Sequence, residues 1–203
     1  MTKRHFSFRA LAAVVVGLLV AACAETQPSR FYTLSGLPDG GAAVQGAESN
    51  RLAIGVGPIS LPNYLDRPEI VRRATPNQFD LAAYDRWGEP LDDVFPRVMA
   101  ENLSVLLATD RVFLLPQRRA TTIDYQVEVE VTRFDADVGG PAVLSARWEI
   151  FDNDGNALVV DRSTFTETVG SEDYGAIATA MSQTVAALSR EIASAITALS
   201  GPR

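Results

Sequence analysis

Ile123-Asp-Tyr-Gln-Val-Glu-Val-Glu-Val131 alternates apolar and polar residues without a break. Successive side chains of a β-strand point to opposite faces, so Ile123, Tyr125, Val127, Val129 and Val131 share one side and Asp124, Gln126, Glu128 and Glu130 the other. Such a strand lays one face on a core and turns the other to water. Leu144-Ser-Ala-Arg-Trp-Glu-Ile150 repeats the pattern, with Leu144, Ala146, Trp148 and Ile150 on one face. Asn153-Asp154-Gly155 then supplies a turn into Leu158–Val169, a long Thr-rich strand. Together the three strands predict an antiparallel meander whose apolar face needs a cover.

Two helices can provide it. Tyr174, Ile177, Met181, Val185, Leu188, Ile192, Ile196 and Leu199 recur at three- and four-residue intervals, and Gly201-Pro202 ends the run. Glu89-Pro90 opens an earlier helix whose apolar side is Leu91, Val94, Phe95, Val98, Met99, Leu103, Leu106 and Leu107; Pro96 falls in its first turns, where a missing N–H is tolerated. Before that helix, Arg51–Val56 reads as a buried strand ended by Gly57-Pro58, and Glu69–Ala74 and Gln78–Tyr84 as a hairpin around Thr75-Pro76-Asn77. Val112–Leu115 is a further short strand closed by Pro116. The expected fold is a single α/β domain, a mixed sheet carrying the meander with two long amphipathic helices packed on it.

The chain has 203 residues and a net charge of −7, but its first 22 residues hold three Lys or Arg and no acid. Without them the balance is 15 basic against 25 acidic residues, or −10. Lys3 and His5 are the only Lys and His, and both lie in that first segment. The remainder therefore has no Ser-His-Asp triad, Cys-His dyad, HExxH zinc site, P-loop or Schiff-base lysine. Its acidity also speaks against nucleic acid, whose phosphates are neutralised by Lys and Arg. No metal or cofactor is expected.

Lys3, Arg4, the apolar run Leu11–Val20 and small residues before Cys23 compose a secretory signal, too short for a comfortable membrane span of about 20 residues. Val20-Ala21-Ala22-Cys23 resembles the lipobox of bacterial lipoproteins, which implies cleavage between Ala22 and Cys23 and acylation of the only cysteine. Three acyl chains make an effectively permanent anchor. Ala24 stands where enteric bacteria place the Asp that retains lipoproteins in the inner membrane, which favours the outer membrane with the domain facing the periplasm. The expected organisation is a signal peptide over 1–22, then over 23–50 the lipidated Cys, a small strand at Phe31-Tyr-Thr-Leu34 and a flexible tether. The main domain follows over 51–203.

Carboxylates are the remaining catalytic candidates. Asp92-Asp93 falls in a helix's first turn, where acids favour the dipole, and Glu128/Glu130 on the outer side of a strand. Asp152-Asn-Asp-Gly155 suggests calcium, but Ala157 and Ser163 stand where an EF-hand needs Gly and Glu, so a hairpin turn is its expected role. Tyr125, Trp148 and Phe165 could line a lipid groove or simply fill the core. Ile59–Val71 contains two prolines among polar and aromatic residues, and predicts a rigid loop suited to partner contact.

Within that loop Leu61-Pro-x-Tyr-Leu-Asp-Arg-Pro-x-Ile-Val71, followed by Trp87-Gly-Glu-Pro-Leu91 and Glu101-Asn-Leu103, resembles the PqiC/YmbA-type family, the ABC-type transport auxiliary lipoproteins. Asp124-Tyr-Gln-Val127, Phe134-Asp135, Trp148 and the opening Phe31-Tyr-Thr-Leu34 continue the likeness over nearly all of the mature chain. The resemblance implies a non-enzymatic, outer-membrane-anchored periplasmic subunit of a lipid transport system that maintains envelope integrity. Its expected partner is an MCE-domain protein, working with an ABC-type or related inner-membrane component. A phospholipid cargo and a homo-oligomer stay open. Tyr64, Asp66, Arg67 and Trp87 are the candidate partner-binding residues. Two other classes remain: a carboxylate-dependent periplasmic hydrolase and an outer-membrane assembly scaffold. If Cys23 carries the anchor, Cys23→Ala abolishes metabolic labelling of the protein by fatty acid; retained label refutes the lipidation site.

Overall fold

A computed structural model describes residues 27–38, 52–116 and 122–200; the signal segment, Ala22 and Cys23 lie outside them. Among the described residues the strands are β1 (Arg30–Tyr32), β2 (Ile54–Ser60), β3 (Glu69–Thr75), β4 (Gln78–Trp87), β5 (Val112–Leu114), β6 (Tyr125–Asp137), β7 (Ala142–Asp152) and β8 (Ala157–Glu167). The helices are α1 (Leu91–Leu107) and α2 (Tyr174–Ser200). All eight strands join one mixed sheet, and both helices pack on one side of it. The α/β class, the meander and the two covering helices are as the sequence predicts.

The meander is β6-β7-β8, antiparallel from Tyr125↔Asp152 to Ala136↔Ala142 and from Ala142↔Glu167 to Phe151↔Ala157. Its second turn is closed by Asp152, whose Oδ1 accepts the backbone N–H groups of Asp154 at 2.9 Å and Asn156 at 2.8 Å. That carboxylate is committed to the hairpin, as expected of a turn.

On its other edge β6 serves two partners in succession. Its first half pairs in parallel with β2 as far as Ser60↔Glu130, and its end pairs in parallel with β3 at Arg72↔Ala136 and Arg73↔Asp137. The sheet forks there, one branch being β2-β5 and the other β3-β4-β1. The alternation predicts a strand that ends at Val131, whereas β6 runs to Asp137. The strand passes a bulge between Val131 and Arg133, so the inward apolar series jumps from Val131 to Phe134 and Ala136. The sequence also predicts an end to β2 at Gly57-Pro58, whereas β2 runs through to Ser60. Proline is tolerated because the ladder with β6 shifts register between Val56 and Ile59, and a bulge needs no donor at that point. Gly57 has φ +127°, and a Cβ would stand 2.9 Å from the Leu115 carbonyl oxygen.

A cluster from three elements closes the fork. Tyr64 lies in a single 3₁₀ turn, Asn63–Leu65, within the β2–β3 connection. Its hydroxyl donates to Asp135 Oδ2 at 2.9 Å and accepts the Phe134 backbone N–H at 3.0 Å, between the last β2 pair and the first β3 pair. Asp135 is fully buried and takes ion pairs from Arg73 at 2.7 Å and Arg133 at 2.9 Å. Phe79 stacks on the Tyr64 ring with centroids 4.5 Å apart, and the Arg73 guanidinium lies 4.6 Å from the Phe79 centroid. Burial, and then the Asp135 charge, push the Tyr64 phenol up to about 12.

The core lies between the sheet and the helices. Val127, Phe134, Leu144 and Ile150 meet Phe95, Leu103, Leu188 and Ile192, all fully buried, and Phe95 contacts Phe134 edge-to-face at 5.2 Å. Trp148 is core, its indole N–H donating to Ser163 Oγ at 3.1 Å. The buried Ser182, Thr184 and Ser189 of α2 donate back to carbonyls three or four residues earlier, so they pack without orphaned hydroxyls. Tyr64→Phe keeps the stacked ring but strips one bond each from buried Asp135 and the Phe134 N–H. We expect a loss of about 1–3 kcal/mol in urea unfolding; an unchanged midpoint refutes this role of the hydroxyl.

Candidate functional site

The β2–β3 connection is shaped from within. With Tyr64 fixed in the fork and Leu65 buried, the chain turns sharply: Leu65 N–H bonds Pro62 O at 2.9 Å and Arg67 N–H bonds Leu65 O at 2.8 Å. Asp66 and Arg67 are thereby left on the surface. Pro68 O accepts the Trp87 backbone N–H at 2.7 Å, which ties this loop to the end of β4. Trp87 is buried, and the next residue, Gly88, donates its N–H to Tyr32 O at 2.7 Å before Pro90 starts α1.

The result is a groove of about 330 Å³ with Leu65, Asp66, Arg67 and Pro68 on one side and the segment from Trp87 to Asp92 on the other. Its walls are largely apolar, from Leu65, Pro68, Trp87, Pro90 and Leu91, and its rim carries Asp66, Arg67, Glu89 and Asp92. Three of the four predicted contact residues, Asp66, Arg67 and Trp87, meet here. Tyr64 does not line the groove; it sits behind it and holds it in place. The sequence predicts Trp87 as a partner contact and Asp92 as a carboxylate in a helix's first turn; the fold brings the two into one groove.

Asp92 carries the groove's perturbed charge. A helix N-terminus alone favours a carboxylate. Burial, followed by the charges of Asp66 and Asp93, outweighs this and raises the Asp92 carboxyl above its usual range. Asp93 is not among the groove residues, so the pair does not converge on one point. Glu128 and Glu130 line a separate shallow cleft of about 260 Å³ on the outer face of the sheet, with Glu149 and Arg147, themselves paired at 2.8 Å. Among the described residues no group of three or more His, Cys, Asp or Glu side chains is placed to hold a metal ion. What the groove offers is recognition: an apolar slot between fixed prolines and an indole, with one exposed cation and three carboxylates at its mouth, of which Glu89 is already paired with Arg97.

The family model for the ABC-type transport auxiliary lipoprotein component matches residues 32–193, from the last residue of β1 to well inside α2, and so spans both walls of the groove. This chain belongs to that family. It is an auxiliary lipoprotein component of ABC-type transport, and a membrane-anchored lipoprotein; the family is not described as one of enzymes. Two solved structures share the fold. One, a crystal structure of an uncharacterized protein, is 22% identical with a TM-score of 0.68, over 84% of this chain and 99% of the other. The other, protein XCC0632 of the DUF330 family from Xanthomonas campestris, is 19% identical with a TM-score of 0.67, over 84% and 97%. A PelC dodecamer from Paraburkholderia phytofirmans superposes more loosely, with a TM-score of 0.40 at 15% identity, over 75% and 90%. No curated protein matches the chain in sequence.

The auxiliary lipoprotein's groove has a pH signature. The raised carboxyl of Asp92 means that its protonated form suits the fold better, so its contribution is complete below the ordinary Asp range and is lost as pH rises through the raised value. Asp92→Asn therefore stabilises the protein near neutrality, by no more than about 1 kcal/mol because solvent screens the site. The gain vanishes below about pH 3.9, the ordinary Asp value. Parallel stability curves of the two proteins across this range, read by urea unfolding, refute the assignment.

Proposed function

We propose that this auxiliary lipoprotein is a PqiC-type subunit, anchored in the outer membrane through Cys23 and facing the periplasm, that docks an MCE-domain protein of a phospholipid transport system. It acts without catalysis, holding the partner's end at the membrane so that cargo passes between the membranes and the envelope stays intact. One observation carries the docking site. The two motif strings, Leu61–Val71 and Trp87–Leu91, lie at the open ends of the β3–β4 hairpin, and together they form the two walls of one groove. Most of their residues have structural work: Tyr64 closes the fork, Leu65 and Trp87 are buried, and Pro68 accepts from Trp87. Asp66 and Arg67 do not; both are exposed, and neither forms an ion pair among the described residues.

A groove of this size suits a short protein segment that inserts one apolar side chain against Trp87 and places polar groups opposite Asp66 and Arg67. Ala24 after the lipidated cysteine supports the outer membrane. Charge reversal at exposed residues leaves the core untouched, so the test separates docking from folding. Asp66→Arg together with Arg67→Glu should cut co-purification of the tagged protein with its MCE partner from detergent extracts by about tenfold or more, as for a lost interface hot spot. The urea midpoint should stay that of the parent. Undiminished co-purification with a folded variant sinks the assignment.

A further inference from the structure

Phe31 is the most exposed large apolar residue of the described chain, at 65%, and it lies in β1, the strand nearest the lipid anchor. Lone exposed apolar residues are ordinary on protein surfaces. This one has company. Phe31 pairs with Arg86 of β4, so both side chains share the outer, helix-free face of the sheet. Along β4 the exposure alternates until Ala83 and Tyr84, two consecutive exposed residues that mark the bulge where the ladder with β3 shifts register. As a result Phe79, Leu81, Tyr84 and Arg86 are turned outward on the same edge as Phe31. Leu81 is 44% and Tyr84 42% exposed, and Phe79 still shows 38% beyond its stacking on Tyr64.

We propose that this β1–β4 edge rests on the lipid bilayer, with Phe31, Leu81 and Tyr84 at the boundary between headgroups and acyl chains. The proposal rests on the anchor at Cys23. Covalent geometry then fixes the reach: the eight residues from Cys23 to Phe31 span at most about 29 Å even when fully extended. The anchor thus holds this edge beside the membrane, where an apolar patch too small to bind lipid by itself acts at high effective concentration. The side chains have interfacial chemistry. Aromatic rings with a polar or cationic neighbour settle at the headgroup level, and here Arg86, the partner of Phe31 across the ladder, shares its face. Its long stem can lie along the apolar surface and carry the guanidinium toward phosphate, whereas Arg30, on the other face, is held by Asp85.

The rest of the outer face is unsuited to lipid. Across the meander it carries Glu128 and Glu130, neither in an ion pair among the described residues, and the ion pairs Glu149–Arg147 and Asp137–Arg133, a charged surface without an apolar patch. The remaining exposed apolar pair on the strands, Leu158 and Val160, sits on β8 at the far edge. Five strand spacings of about 4.8 Å separate β1 from β8. Over those five steps the normal sheet twist rotates the two edges by roughly 100°, so one flat membrane cannot meet both.

The test uses the full-length lipidated protein in vesicles of phosphatidylethanolamine with a minor share of phosphatidylglycerol. A nitroxide sits on the acyl chain next to the headgroup. Phe31→Trp, Tyr84→Trp and Val160→Trp each place an indole at an exposed position, and the parent, with Trp87 and Trp148 buried, gives the background. The added fluorescence of Phe31→Trp and Tyr84→Trp should fall by roughly half or more, while that of Val160→Trp is unchanged, as expected of residues at and away from the interface. Equal quenching at all three positions overturns the orientation. So does unquenched, blue-shifted emission at 31 and 84, the signature of a second protein copy covering the edge. Failure of the parent to float with the vesicles overturns the anchor, and the orientation falls with it.

Discussion

Three side chains meeting around one buried carboxylate hold the two branches of this sheet together. Asp135 lies on β6 after the last β2 pair and just before the first β3 pair, and it takes ion pairs from Arg73 of β3 and Arg133 of its own strand. An unpaired charge with no exposure would cost several kcal/mol. Two guanidinium groups and a phenol give its oxygens partners, and the Tyr64 oxygen also meets the Phe134 N–H, which lies between the two ladders. A forked sheet leaves backbone groups at its crotch without a strand to bind, and here the side chain bridging the gap comes from the loop that must cross it. The path of that loop and the placement of β3, β4 and β1 all follow from this one contact set.

The candidate groove is a by-product of the same constraint. Once Tyr64 points into the fork and Leu65 into the core, the chain has little freedom before Glu69 starts β3, and Asp66, Arg67 and Pro68 occupy the remaining turn. Trp87, bonded through its N–H to Pro68, forms the opposite wall. The motif therefore mixes two kinds of residue: those that make the loop rigid and those that the rigid loop displays. Recognition by fixed side chains loses less ordering entropy on binding than recognition by a mobile loop, which is a physical reason to build a contact site on a closed fork.

How much of this can be read without coordinates depends on the range of each interaction. The alternation of Tyr125–Val131 and Leu144–Ile150 and the stripe from Ile177 to Ile196 are local periodicities, and the elements they predict are present. Bulges are where such reading fails. Gly57-Pro58 looked like a strand end because proline removes a ladder donor, and only the register of a neighbouring strand shows that none was needed. The jump from Val131 to Phe134 broke the alternation and hid the second half of β6, although Phe134 and Ala136 resume it one residue out of phase. Tyr64 is expected at a partner contact because it lies in the motif string of a proline-bearing loop; what its hydroxyl binds is 71 residues away, out of reach of any local pattern. Asp66 and Arg67 stand in the same string, and the turn leaves both exposed.

The way the chain enters the domain sets how a load is borne. β1 runs parallel to β4, and its Arg30 and Tyr32 both bind the buried Asp85, at 2.7 Å and 2.8 Å. Burial disfavours that carboxylate's charge, yet hydrogen bonds from Arg30 and Tyr32 keep it below the usual range. Beyond β1, Ser35 N–H is held by Ser182 Oγ of α2 at 3.1 Å, and Leu37 N–H by Asn102 Oδ1 of α1 at 2.7 Å. A pull on the N-terminal side, directed along β1, strains the slanted bonds of a parallel ladder together rather than opening them one at a time. Behind that ladder the next residues are fastened to both helices. Tension between the tether and whatever the domain carries is thus met in shear, and it spreads into the sheet and the helix pair.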